Sequence, residues 1–277
     1  MADFDARPLA ITDTVAVWDV RCPGLRRRPS EEEWATATHL VFPYQGAYVH
    51  HVGGAESVAE ANQVIFINAG EPYRVSHPVA GGDAALSIGV SPAALLELAP
   101  KDRLRGGGQP AFSSAQLRVG AAAQALTALL RHRLVPGAAD ALEAESATLA
   151  LLRTALGDRA ARPGAGRARP PRRLVERAKL VLAADLSRRW TLAEISAEVG
   201  GSPVYLTQMF AQLEGIPLYR YQLRLRLARA LALLGEYDDL TDLALELGFS
   251  SHSHFSSAFK QAFGQSPSAF RRSAADR

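Results

Sequence analysis

Between positions 10 and 92 the apolar residues come in short runs, 14–20, 39–42, 47–50 and 63–67, separated by Gly, Pro and Asn. Short β-branched and aromatic runs at roughly ten-residue spacing predict strands of a small sandwich or barrel. The period then lengthens. In 114–131, Leu117, Ala121, Gln124, Leu126 and Leu130 recur at helical spacing, and in 139–156 Leu142, Ala147, Leu149, Leu152 and Leu156 do the same. Val135-Pro136-Gly137 between them predicts a turn joining an antiparallel helix pair. The segment 158–171, DRAARPGAGRARPP, has no large apolar side chain and cannot bury a core, so it reads as a linker. Everything after it has helical period. The expected fold class is α+β in two domains: a β-barrel with a helix pair over 1–157, a basic linker over 158–171, and an all-α domain over 172–277.

Two helix-turn-helix patterns stand in the α domain, about 50 residues apart. In the first, Thr191 caps a helix holding Leu192, Ile195, Ala197 and Val199, with Glu194 completing a capping box. Gly200-Gly201 ends it, and Ser202 caps the next helix with Pro203 at its first position, where no N–H is needed. Leu206, Phe210 and Leu213 then point inward, leaving Val204, Thr207, Gln208 and Gln212 outside. In the second pattern Leu243, Ala244 and Leu247 line one face, Gly248 stops the helix, and Ser250 or Ser251 opens the next. That helix is expected to bury Phe255, Phe259 and Phe263 and to expose His252, Ser253, Ser256, Ser257 and Lys260. A long helix over 217–234 carries Arg220, Arg224, Arg226 and Arg229 between the units. A short helix, a tight turn and a second helix is the geometry that presents a recognition helix to a major groove.

Charge supports this placement. Residues 1–158 hold 13 Lys/Arg against 17 Asp/Glu, 159–171 add four arginines and no acid, and 172–277 carry 14 basic against 11 acidic groups. The basic character thus lies wholly in the linker and α domain, where a polyanion would be met. A hydrophobic fraction of 48% supports real cores. The start of the chain, with Asp3, Asp5 and Arg7, lacks the apolar stretch of a secretory signal, and no run is long enough for a membrane span. A single cysteine cannot form an intrachain disulfide. These readings together give a cytoplasmic protein.

The stretch Ser202-Pro203-x-Tyr205-Leu206-x-x-x-Phe210, then Gly215, Tyr221 and Arg226-Leu227-x-x-Ala230, continues into Gly248-Phe249-Ser250-x-x-Ser253-x-Phe255-x-x-x-Phe259-Lys260-x-x-Phe263-Gly264-x-Ser266-Pro267-x-x-Phe270-Arg271. It resembles the AraC/XylS signature over about 100 residues, densely and in order. The upstream region, with Asn68-Ala69-Gly70-Glu71-Pro72-Tyr73, is similar to that family's cupin-like effector-binding and dimerisation domain. The resemblance implies a transcriptional regulator, an activator or a repressor and not an enzyme, that binds double-stranded DNA. It implies a homodimer with a small-molecule effector, and RNA polymerase as a further partner; no cofactor is implied. The DNA-facing set is then Val204, Thr207, Gln208, Gln212, Arg224, Ser250, His252, Ser253, Ser256, Ser257 and Lys260. Where the family often has arginine in each recognition helix, this chain has Gln208 and Ser257. Arginine pairs with guanine, whereas glutamine suits adenine and serine is permissive.

In the N-terminal region Tyr44, Tyr48, Phe66, Tyr73 and Arg74 are the expected effector contacts, and Leu126, Leu130, Leu149 and Leu152 the expected dimer face. The histidines His39, His50, His51 and His77 read as satisfied or exposed rather than as metal ligands. Adjacent strand residues point to opposite faces, so His50 and His51 cannot share a cavity, and Tyr73 stands where a cupin would place a metal histidine. Cys22 reads as inert, with a sensor thiol beside Arg21 as the alternative. The runs Arg26-Arg27-Arg28 and Glu31-Glu32-Glu33 read as a solvated loop. Two other functions compete: a cupin-type metalloenzyme with a helical appendage, and a regulator whose N-domain only dimerises or binds a protein.

Overall fold

The computed structural model describes residues 4–106, 109–135, 140–157 and 170–275. Among the described residues nine strands come first: β1 (Asp5–Ile11), β2 (Val15–Cys22), β3 (His39–Gln45), β4 (Tyr48–Val52), β5 (Ala55–Ala59), β6 (Gln63–Ile67), β7 (Tyr73–Ser76), β8 (Asp83–Val90) and, after the short helix α1 (Pro92–Leu98), β9 (Gln116–Arg118). They form one sheet in the order β1-β2-β8-β3-β6-β9 and a second in the order β5-β4-β7. The expected sheet-rich N-domain is present, as two facing ladders rather than one continuous ring.

Alternation along the strands sets the layers. On β3, Leu40 and Phe42 join Val15, Val17, Val64, Phe66, Leu86 and Ile88 in a core covered by helices; Val41, between them, turns the other way. With Ile65 and Ala85 it meets Tyr48 and Ala59 of the small sheet. The large sheet therefore has helices on one face and the small sheet on the other.

Helices α2 (Ala121–Leu134) and α3 (Ala141–Gly157) are the expected pair. The first starts later than its pattern suggested. Leu117 is not helical but lies in β9, where Gln116–Arg118 pairs with β6, and Gly120 caps the helix behind it. Most of the turn between the helices, and the linker up to residue 169, lie outside the described residues. Helix α4 opens at Pro170, so the last two positions of the expected linker are helical. It is followed by α5 (Leu192–Val199), α6 (Pro203–Glu214), α7 (Leu218–Leu233), α8 (Leu240–Glu246), α9 (His252–Phe263) and α10 (Pro267–Ala275).

The halves of the chain meet along α2 and α4. Ala128 of α2, with Ala125 and Leu129, enters the core of α7, α8 and α9, while Leu180 and Ala183 of α4 cover Ala47, Val49 and Val58. A polar cluster completes the seam. Lys179 on α4 is fully buried, with Nζ 2.5 Å from Glu214 and 3.2 Å from Glu176. Glu176 also accepts from the Val58 amide (2.8 Å) and from Gln116 (3.2 Å), and Glu214 accepts from Gln63 (3.3 Å). Tyr221 of α7 donates to the buried Glu60, and its carbonyl accepts from Asn62 (3.3 Å). Burial alone would push the Lys179 ammonium down; Glu176, Glu214 and Glu60 outweigh it and hold it above its ordinary value.

Lys179→Met should leave these carboxylates buried without their cation and cost about 3–5 kcal/mol in urea unfolding. A loss below about 1 kcal/mol would show the cluster to be solvent-screened. Burial also pushes Glu60 from 4.5 up to about 7. The folded chain thus keeps a proton that the unfolded chain has released, and stability falls as pH rises through that window. The melting temperature should decline over this range, and Glu60→Gln should flatten the decline.

Candidate DNA-recognition surface

The first unit is built by local chemistry. Thr191 Oγ1 accepts from the Glu194 amide (3.2 Å) while Glu194 accepts from the Thr191 amide (2.7 Å), closing the capping box. The bond from the Thr191 amide, then those from the Thr191 hydroxyl and from Arg188, pull the Glu194 carboxyl down to about 2. Gly200 and Gly201 take φ of 76° and 148°, turning the chain where a side chain would be strained. Ser202 then accepts from the Tyr205 amide (3.2 Å), and Pro203 opens α6. Leu206 and Phe210 are fully buried against Ile195, Val199 and Tyr221 and against Leu174, Val175, Ala178 and Leu182 of α4. Helix α4 is thus the platform of the first unit, a role its sequence alone did not announce.

The second unit repeats the plan. Asp239 caps α8, and Ser251, not Ser250, caps α9 by accepting from the His254 amide (3.1 Å). Phe255 and Phe259 are fully buried with Phe249 and Phe270, and Phe263 is half-buried. Helix α7 serves both cores: Leu218, Tyr221 and Leu225 belong to the first, Leu227, Ala230, Leu231 and Leu233 to the second. Where it changes allegiance, Arg226 donates to the carbonyls of Leu186 (2.7 Å) and Arg188 (2.9 Å) before the first unit and of Gly248 (3.1 Å) in the second. One guanidinium fork ties both units together.

Of the expected DNA-facing residues, Val204, Gln208 and Gln212 are exposed on α6, and His252, Ser253, Ser257 and Lys260 on α9, with Ser250 just ahead of it. Thr207 is half-buried and donates to its own helix carbonyls at Pro203 and Val204. Ser256 is half-buried beside His252 Nε2 (3.3 Å), and Ser250 Oγ lies 3.1 Å from His254 Nδ1. Arg224 is half-buried on α7. The reading from sequence missed Tyr205 and His254, both exposed at the starts of these helices; their place in the first turn was the available signal. Together the two faces offer amide, imidazole and hydroxyl groups, which suit base edges, and an ammonium, which suits phosphate.

The N-domain candidates divide. Tyr48 and Tyr73 lie on the small sheet; Tyr48 faces the large one, and the Tyr73 ring stands 5.5 Å from His50. Tyr44 and Phe66 do not join them, because strand alternation turns both to the helix-covered face. Tyr44 donates to Asp19 (2.5 Å) under Arg131, and Phe66 stacks on Phe112 at 3.8 Å. Arg74 is exposed and pairs with Glu32 (3.2 Å). His39 and His51 hydrogen-bond to Ser87 and Ser76, but His50 is neither satisfied nor exposed: it is 1% accessible, with no partner for either ring nitrogen. Leu130 and Leu152 are buried in the chain's own core and offer no dimer face; helix–helix packing within the domain consumes them. Leu126 and Leu149 remain half-buried, and Leu142 is 75% exposed.

Two glycines separate conformational strain from steric room. Gly248 and Gly264 share a φ of 78°, but a Cβ at Gly248 would come within 2.2 Å of the Ser187 carbonyl whereas one at Gly264 meets nothing. Gly264→Ala should cost about 1 kcal/mol of αL strain. Gly248→Ala should cost clearly more, by forcing the two units apart; equal melting shifts in both variants would refute that close approach.

Residues 195–273 match a family described as a helix-turn-helix domain. The chain is 36% identical over 105 residues to the HTH-type transcriptional regulator YidL of Escherichia coli, covering 38% of this chain and 35% of that protein. It is 34% identical over 100 residues to the HTH-type transcriptional activator RhaR of Klebsiella pneumoniae, 36% of each chain. The chain therefore spans about a third of the length of these relatives. Among solved structures, an AraC-type regulator from Chromobacterium violaceum aligns at 31% identity over 37% of this chain and 93% of its own, with a TM-score of 0.36. ToxT from Vibrio cholerae aligns over 99% of both chains at 13% identity and a TM-score of 0.38. Over residues 195–273 the chain thus carries a helix-turn-helix domain similar to the one that these transcriptional regulators contain.

Proposed function

We propose that the whole protein is a sequence-specific regulator of transcription, acting in the cytoplasm on double-stranded DNA as a homodimer, with no enzymatic activity of its own. The observation that carries this reading is the pair of capped helices α6 and α9, each buried on one side and polar on the other. No helix among the described residues is long and apolar enough to cross a membrane. Activation through contact with RNA polymerase is part of the proposal, as is dimerisation through the outer face of α3 around Leu142 and Leu149.

The effector reading moves to the space between the sheets. His50 Nδ1 and Nε2 and Ser57 Oγ are buried there without partners, as cross-strand neighbours on β4 and β5. Buried polar groups ordinarily find a hydrogen-bond partner, so a small polar effector bound beside Tyr48 and Tyr73 would satisfy them. An enzyme of the cupin type finds less support, because His50 and His51, adjacent on β4, point to opposite faces.

Fluorescence anisotropy on operator and random duplexes over a salt series tests the DNA reading. Gln208→Ala should weaken operator binding by about 1–3 kcal/mol and relax preference at one base position. Lys260→Ala should weaken all sequences alike and lower the salt slope by about one. Equal loss on both duplexes for Gln208→Ala would mean that α6 does not read bases.

A further inference from the structure

Three segments distant in sequence converge at one end of the sheets. Cys22 ends β2 and Asp83 opens β8, and the two are direct cross-strand partners. His77 follows β7. One ligand atom from each of these three lies within 4.8 Å of the other two. His77 is buried, with Nε2 3.0 Å from Asp83 Oδ2, yet neither that oxygen nor His77 Nδ1 has a hydrogen-bond partner. Tyr48 lies alongside: its ring centroid is 6.1 Å from that of His77, and burial, then Asp83, pushes its hydroxyl up.

The backbone behind the cluster is held by glycines that could not be anything else. A Cβ at Gly82 would approach the Cys22 carbonyl to 2.3 Å, one at Gly46 would approach the Gly82 carbonyl to 2.0 Å, and one at Gly24 the Gly82 Cα to 2.8 Å. All three have φ near +70°. Only glycine gives both the conformation and the room. The close approach fixes where the thiol, the imidazole and the carboxylate stand.

We propose that Cys22, His77 and Asp83 form a binding site for a thiophilic divalent ion, Zn2+ in the first instance. Sulfur, nitrogen and oxygen donors together are the set that zinc accepts, at about 2.3, 2.0 and 2.1 Å, so a spread of this size closes on an ion by small side-chain rotations. Three protein ligands leave one tetrahedral position for water or for a group from a bound molecule. On binding, the Cys22 thiol gives up its proton to solvent and becomes a thiolate, so affinity rises with pH. The assignment is independent of DNA binding, because it uses no residue of the helical domain.

Co2+ serves as the spectroscopic probe on the full chain, and Zn2+ as competitor. Cys22 is the single cysteine, so a sulfur-to-cobalt charge-transfer band in the near ultraviolet can come from no other residue. The expected result is one Co2+ per chain, a charge-transfer band abolished by Zn2+, and loss of that band in C22S. In H77Q and D83N stoichiometric retention should be lost while far-ultraviolet circular dichroism stays unchanged. Should those variants misfold, the wild-type chain still decides. Zn2+ should slow alkylation of Cys22 by iodoacetamide at least about tenfold, since metal occupies the nucleophile. No charge-transfer band, or an alkylation rate indifferent to Zn2+, would overturn the site and leave His77 and Asp83 as a structural ion pair.

Discussion

The arrangement of this molecule depends on a buried ammonium. Lys179 lies in the seam between the sheet domain and the first helix-turn-helix unit, and every group that compensates it is also a structural anchor. Glu214 is the last residue of α6; Glu176 holds the Val58 amide of β5; Glu60 accepts from Tyr221 in the middle helix. An isolated charge at such depth would be prohibitive, and its cost is offset only if all partners are present at once. The cluster therefore specifies one docking of the domains, and it fixes the C-terminal end of α6 at the same time.

The second constraint lies inside the helical domain. Helix α7 gives apolar residues to the core of each unit, and that alone would permit the units to rotate about it. Arg226 and Gly248 remove the freedom. The guanidinium bonds carbonyls from both sides, and the absent side chain at Gly248 lets the Ser187 carbonyl approach. Their separation is set by backbone contact, which is stiffer than contact between flexible side chains.

How much of this was legible depends on the range of each interaction. The helix-turn-helix units were readable almost residue by residue, because caps, glycine turns and i, i+4 phenylalanines act within a few positions of one another. The layers of the N-domain were partly readable from period-two alternation. Which face would be covered by helices was not, so Tyr44 and Phe66 were placed with Tyr48 and Tyr73 although alternation and packing send them apart. Leu130 and Leu152 illustrate the same limit: an apolar helical stripe shows that something is buried, not whether the partner is the same chain. Lys179, Glu60 and the meeting of Cys22, His77 and Asp83 left no signal in sequence, since each joins segments whose encounter only the tertiary fold decides.

Strand β5 connects the proposed effector space to the domain seam over four residues. Ser57 and Ala59 point between the sheets, with Ser57 unpartnered and Ala59 packed on Tyr48. Val58, between them, faces the other way: its side chain is covered by Leu180 and Ala183 of α4, and its amide is bonded to Glu176. Glu60, just past the strand, accepts from Tyr221. A strand alternates its contacts, so β5 lends one face to the proposed effector space and the other to α4. Helices α4 and α7 carry the buried partners of α6, and Glu214 at its end shares Lys179 with Glu176. The unpartnered Ser57 and the buried cluster at the end of α6 are thereby joined by four consecutive residues, Ser57 to Glu60.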